Sequence, residues 1–484
     1  TAGGPLLDRR LFVGGMFQVH EEPVTFNAAI WDGDSFTCPW KACVPDLRAA
    51  AVFDDGSGPA LYVAGVFASI GGVPARSIAR FDGTTWSDVG GGIRGMVVNL
   101  QVLDDGSGPA LFASGVFTHA GGNSALNVAR WDGQAWTAPG GGITLYPANI
   151  LPPAVLSLAH FQNSLFAGGR FNISPTSMLP MQMLARLDMN QWAPTQPLVS
   201  RPLSDIATFD FHNGSELVIV STSEGTGSPF PIPSARVAAW NGSSWRPLVQ
   251  SGFQNTDLAV LEVGGASRLF LNGRGVGLDG QPFSGLAHFD PDGTFHPYSV
   301  QLPILMHDLV AASELEPPGL LMVGSNAPSV SHPYTRDPNR LFRAGRFEPL
   351  GPTLTADEQD QGTAVWSAAF DTTGPTHAAY LVGYFRGAGD IVSPGVIKWN
   401  VCPPCLADWT GSLDPASADY GALDGIADSA DFFYFLDQFV AGNAFVADRT
   451  GSVDPGDPGY GVPDGAIDAS DFFFYLDLFV AGCP

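Results

Sequence analysis

The sequence predicts a mainly β chain. Residues 1–400 read as an eight-bladed β-propeller, with seven blades as the alternative, and residues 405–484 as a small α-helical module of double EF-hand type. Three observations predict this. One strand pattern recurs at a spacing of about 50 residues, the signature of a repeat architecture. Five of the eight copies are followed by an Asp-Gly or Asn-Gly turn, and the C-terminal segment carries two copies of an acidic, glycine-centred loop. Composition agrees: 45% hydrophobic and 14% charged residues, with 59 Gly and 40 Pro, is the mix of a turn-rich β protein.

The strongest strand copies are Leu11-Phe-Val-Gly-Gly-Met-Phe17, Leu61-Tyr-Val-Ala-Gly-Val-Phe67, Leu111-Phe-Ala-Ser-Gly-Val-Phe117 and Leu165-Phe-Ala-Gly-Gly-Arg-Phe171. Weaker copies begin at Leu217, Leu269, Leu320 and Leu381. Within a unit, Val52-Phe53 turns back through Asp54-Asp55-Gly into Leu61, forming an inner hairpin. Ile78–Phe81 then passes through Asp82-Gly83 to Trp86. The same turn recurs at Asp32-Gly33, Asp132-Gly133, Asn241-Gly242 and Asp292-Gly293, dipeptides suited to the positive backbone angles of tight hairpins. Four short strands per repeat, in tandem, describe propeller blades. Only Pro5-Leu-Leu precedes the first copy and the last ends near Trp399, so a closing blade built from both termini is expected.

These residues resemble kelch-like propellers, and more closely a secreted bacterial repeat family with a Leu-Tyr-Val-Gly-Gly-x-Phe … Ala-Arg-Trp-Asp-Gly … Trp signature. The resemblance implies a fold and says little about activity.

No catalytic constellation stands out. The nine histidines are scattered, and His288, in the slot that Arg80 and Arg130 hold in sister repeats, reads as an outward strand residue. Gly90 and Gly140 open inter-strand Gly-Gly-Gly loops rather than phosphate cradles, and no nucleophile elbow or His-Glu-x-x-His is present. Asp54-Asp55 and Asp104-Asp105 read as duplicated β-turns first and cation sites second.

The C-terminal duplication carries clearer chemistry. Asp424, Gly425 and Asp431 fit the fifth, sixth and twelfth positions of an EF-hand loop, as do Asp464, Gly465 and Asp471. Asp428 and Asp468 fall at the ninth position, and the carbonyls of Ile426 and Ala466 at the seventh. The front ligands come from before an inserted Pro/Gly-rich excursion: Asp408, Thr410 and Asp414 in one copy, Asp448, Thr450 and Asp454 in the other. An all-oxygen set of this kind suits Ca²⁺, at two sites. After each loop comes an aromatic helix, and Phe432, Phe433, Phe472 and Phe473 are the expected docking surface.

This arrangement resembles a dockerin, in particular the variant with long inserted loops and a Gly-Cys terminus, here Gly482-Cys483. The resemblance implies attachment to a protein partner: a cohesin-like receptor, a cell surface, or another copy of the same chain. Cys38 and Cys43 bracket a short segment that a disulfide would staple, and a Cys405–Cys483 bond would tie the module's ends. Cys402 is left over, in a Cys-Pro-Pro-Cys run that also admits a redox or zinc reading.

A formal charge of −25 argues against nucleic acid as a partner. No apolar run approaches the ~20 residues that cross a bilayer, so membrane insertion is not expected. Disulfides, calcium loops and Thr1-Ala-Gly-Gly, which reads as a processed start, point to a secreted, extracellular or cell-surface protein. The expectation is a non-enzymatic structural or interaction protein. The alternative is a carbohydrate-binding or carbohydrate-active propeller anchored by its tail, which acidic and aromatic side chains at the channel would favour.

Overall fold

A computed structural model describes residues 11–18, 25–31, 36–37, 46–144, 154–171, 183–195, 199, 202–221, 236–253, 257–263, 266–277, 280, 282–298, 305–312, 319–325, 340–343, 346–349, 354–355, 364–371, 378–384, 387–388, 391–392, 396–400, 410, 412–414, 427–442, 444–447, 449–450, 452–454 and 466–481. Everything below concerns these residues.

Each repeat folds as an antiparallel sheet whose strands follow chain order. Blade 1 runs Asp46–Asp54, Pro59–Val66, Ile78–Phe81 and Trp86–Asp88. Five further four-stranded blades start at the inner strands Ile93–Asp104, Ala154–Phe161, Leu203–Phe211, Leu258–Val263 and Leu305–Ala312. A three-stranded unit of Ala364–Asp371, Ala378–Tyr384 and Val396–Asn400 follows blade 6.

The count of complete blades is therefore six, rather than the eight, or seven, expected from the repeats. The reason is local. The first repeat gives a separate three-stranded sheet of Leu11–Gln18, Thr25–Trp31 and Phe36–Thr37, with no inner strand among the described residues. At the other end, the Ala364–Asp371 strand packs directly on blade 1. Ala50 N donates to Ser367 Oγ at 3.3 Å, and Leu47, Ala50, Leu61 and Val63 share one core with Ala369, Tyr380 and Val382. That closure leaves no inner berth for another blade. Among the described residues the closing unit has three strands.

The turn chemistry explains why these segments form hairpins. Asp82 Oδ1 accepts from the backbone N–H groups of Thr84 and Thr85, both at 2.8 Å, and Asp132 and Asn241 do the same in later blades. Asp55 and Asp105 are turn residues as well. Arg80 Nε lies 3.0 Å from Asp55 Oδ2, and Arg130 Nε 3.2 Å from Asp105 Oδ2, which neutralises both.

One motif residue has a sharper cause. Gly65, Gly115 and Gly169 each face a bulge in the inner strand beside them. A Cβ on Gly115 would stand 2.3 Å from the Met96 carbonyl oxygen, and one on Gly65 2.0 Å from that of Asp46. Backbone fills the space a side chain would need, so the repeat keeps glycine there.

The Gly-Gly-Gly loops are packing devices too. Gly90 sits under Trp131 and Trp136, and Trp136 Nε1 donates to the Val89 carbonyl at 2.8 Å. The equivalent Trp192 donates to Pro139 O at 2.9 Å. Trp136 and Trp192 thus bolt their blades to the preceding ones.

The tail contains α1 (Ser429–Val440), the single turn α2 (Ala444–Ala447) and α3 (Ala469–Ala481). Phe435, Val446, Ala447 and Tyr475 form its buried centre. Cys38, Cys43, Cys405 and Cys483, and hence both expected disulfides, lie outside the described residues.

Candidate functional site

The two copies of the tail motif build the same geometry. In the first, Asp431 is fully buried, with Oδ1 accepting from Thr410 N at 2.7 Å and Oδ2 from Asp428 N at 2.8 Å. In the second, Asp471 is fully buried, accepting from Thr450 N and Asp468 N, both at 2.8 Å. The Arg449 N–H also donates to Asp471. A carboxylate at the loop's last position thus closes the front of the loop onto the start of the helix.

Asp428 and Asp468 cap those helices. Their Oδ1 atoms accept from Ala430 N and Ser470 N at 2.7 Å, and with Asp431 the first forms a reciprocal capping box. The exposed Asp468 carboxyl is held below the usual range, chiefly by its hydrogen bond from the Ser470 N–H.

Thr410 and Thr450 are buried, and their Oγ1 atoms donate to Ser412 O and Ser452 O at 2.7 Å. Asp414 and Asp454 are exposed, their N–H groups donating to Ser412 and Ser452 Oγ at 3.1 Å. Ala466 is exposed, just ahead of α3. Asp408, Asp424, Ile426, Asp448 and Asp464 lie outside the described residues.

The donor chemistry fits a hard cation. The described donors of each motif are carboxylate and hydroxyl oxygens, and one anion per loop is withdrawn from solvent, an expensive arrangement unless it is compensated. A bound Ca²⁺ would supply that compensation and hold the loop to its helix. Asp431 and Asp471 would be common to both the cation and the backbone.

The helices pack about a local twofold. Phe435 stacks on Tyr475 at 3.8 Å between centroids, Phe432 meets Phe479 at 5.6 Å, and Phe472 meets Phe439 at 6.2 Å. Under exchange of the two copies the first contact maps onto itself and the other two map onto each other. Phe432 and Phe472, expected on the docking surface, are therefore half-buried in the helix interface. The exposed large apolar residues of α1 and α3 are Phe433 and Phe473, at 50% and 54% exposure, with Val440 and Val480 at 80% and 78%. Period alone did not separate the two phenylalanines of each Phe-Phe pair; the burial pattern does.

In the propeller, the inner strands surround a cavity of about 1180 Å³. Its wall carries polar side chains one residue past four of the strand bulges, Asn99, Asp205, Asp308 and Ser367, with Asp257 at the matching place in blade 5. Most of them stitch one blade to the next. Asn99 Nδ2 donates to Leu156 O at 2.8 Å, and Asp205 Oδ2 accepts from Leu258 N at 2.8 Å. Asp308 Oδ2 accepts from Ser367 Oγ at 2.7 Å.

Asp257 differs. Its N–H donates to Asn272 Oδ1 at 2.9 Å, while its carboxylate receives a long 3.4 Å contact from Asn272 Nδ2. Burial, then the charges of Asp205 and Asp308, push its carboxyl well above the ordinary range. Burial also lifts Asp308, to about 6. Three carboxyls, the Arg170 guanidinium and Trp366, with Arg48 stacked 4.7 Å over its ring, line the same cavity. These acids were not singled out by the sequence, where each is one Asp in an unremarkable strand.

His288 is the other departure. It is 6% exposed rather than outward-facing. Phe270 lies at 5.1 Å, Tyr298 at 5.5 Å and His296 at 4.7 Å between ring centroids, so aromatic neighbours close over it.

No family model matches the sequence, and no curated protein matches it. Among solved structures, the extracellular domain of a one-component system protein from B. thetaiotaomicron is similar at a TM-score of 0.41 and 10% identity, over 78% of this chain and 41% of that one. The chain thus spans well under half the length of that neighbour. YCF48 bound to D1 peptide aligns at a TM-score of 0.32 and 12% identity, over 61% of this chain and 81% of that one. The Trypanosoma rangeli sialidase in complex with the inhibitor DANA aligns at a TM-score of 0.33 and 9% identity, over 87% of this chain and 61% of that one.

Proposed function

We propose that this chain is a secreted, non-enzymatic interaction protein, in which a propeller platform is joined to a dockerin-like module that folds around two Ca²⁺ and docks a protein partner. The observation that carries this is the duplication of an exposed apolar pair, Phe433/Val440 and Phe473/Val480, on two helices related by a local twofold. A symmetric apolar face of this kind suits an isologous contact, so a second copy of the chain is the favoured occupant. Calcium acts through folding: without it, the buried Asp431 and Asp471 carboxylates lose their counter-charge and the loops lose their hold on the helices.

Light scattering on the full-length chain in calcium, then in excess chelator, tests this. Association in calcium that dissolves on chelation, and that is lost in the Phe433→Asp/Phe473→Asp double variant, is expected. A monomer under both conditions would rule out self-docking.

A second reading, a carbohydrate-binding propeller, is favoured by the cavity's Trp366, Arg170 and Asp257. Against it, Asp205 and Asp308 spend carboxylate oxygens on blade-to-blade bonds. Glycan binding that disappears in Trp366→Ala would revive it.

A further inference from the structure

The hairpin of Pro282–Phe289 and Phe295–Pro297 in blade 5 places His288 opposite His296, one cross-strand pair. Asp290 follows at the mouth of the turn. Its Oδ1 lies 3.5 Å from His288 Nε2 and its Oδ2 2.8 Å from His296 Nε2. Among the described residues, this is the one group of three or more His, Cys, Asp or Glu side chains whose ligand atoms gather closely, all within 4.8 Å of one another.

Tetrahedral zinc with ligands at about 2.0–2.1 Å holds neighbouring ligand atoms about 3.4 Å apart, so the cluster already has the span of such a site. We propose that His288, Asp290 and His296 bind one borderline-soft divalent cation, Zn²⁺ being the natural occupant. Two imidazoles and one carboxylate select zinc, copper or nickel over the calcium suited to the oxygen-only tail loops.

The surroundings support it in two ways. His288 is buried among Phe270 and Tyr298, with Nε2 turned toward Asp290. The side chain of His296 is roughly half exposed, which leaves an entry path and room for water on the open side of the ion.

Arg268 is the competitor. Its Nε stands 3.1 Å from Asp290 Oδ1, the oxygen nearer His288. The cation must share Asp290 with the guanidinium or displace it. Removing that charge therefore tightens the site, a response opposite to that of a purely structural ion-pair network.

The test uses untagged full-length protein with calcium saturating, so that the tail loops do not compete. Equilibrium dialysis against Zn²⁺, with Co²⁺ absorption as the coordination probe, is run on the native chain and on His296→Ala, Asp290→Asn and Arg268→Gln. One zinc per chain is expected, with tetrahedral-type Co²⁺ bands. The first two variants should bind about tenfold or more weakly, and Arg268→Gln more tightly. His296→Ala alters a part-exposed side chain and should keep the metal-free melting profile, which separates ligand loss from misfolding. No zinc on the native chain, or equal zinc on His296→Ala, overturns the proposal.

Discussion

The propeller and the tail solve the same problem, holding repeated units together, with different physics. Between blades, backbone and neutral polar groups do most of the work: Trp136 to Val89 O, Asn99 to Leu156 O, and apolar cores shared by neighbouring sheets. In the tail, one buried carboxylate closes each copy on itself and a stack of aromatics joins the two copies. A large core tolerates loss of any one bond, whereas a module this small leans on each. Chelating calcium should therefore cause the largest and most local effect. Calorimetry of the full-length chain should show two transitions, and the lower one, from the tail, should fall on chelation. Each filled site at a hundredfold excess over Kd is worth about 2.7 kcal/mol. An upper transition that moves equally would erase the contrast between the regions.

The propeller has a weak point of its own, where space rather than charge decides. Gly115 has no room for a methyl group against the Met96 carbonyl. Gly115→Ala should cost about 1–3 kcal/mol, read as a fall in the upper transition alone. Gly122→Ala serves as a control for volume, since nothing stands within 4 Å of its added Cβ. It still carries the cost of a positive φ of 81°, so a loss smaller than that of Gly115→Ala is the informative result.

Much of this was legible in the residues. Asp82-Gly83 and its sisters announce their turns because the carboxylate bonds backbone two and three residues on, a local event. The spacing of Asp428 and Asp431 likewise announces a helix start. What escaped depends on neighbours distant in sequence. Blade number was misjudged because the repeat at Leu11 looks like the others, yet the closure that excludes it is made between Ala50 and Ser367. His288 was misread because its repeat slot holds Arg80 and Arg130, each paired with an Asp of its own blade's inner hairpin. In blade 5 the acid is Asp290 and the cation Arg268, so the slot is freed for an imidazole.

Charge inside the propeller gives the smallest effect and the sharpest test of the contrast. Asp257 contributes a buried carboxylate between Asp205 and Asp308 and, unlike them, has no described bond to the next blade's inner strand. Its carboxyl is raised in the folded state, so folding binds a proton more tightly than the unfolded chain does. Stability from this group is complete below the ordinary carboxylate range, near pH ~4, and declines as pH rises through the elevated folded value. Asp257→Asn should thus stabilise the upper transition by about 1 kcal/mol at neutral pH, with the gain fading toward pH ~4. The same substitution should leave the calcium-sensitive lower transition untouched. If Asp257→Asn instead destabilises the propeller at neutral pH, the carboxylate is held by a favourable partner. The cavity's polar wall would then be uniformly structural rather than stitched on one side and strained on the other.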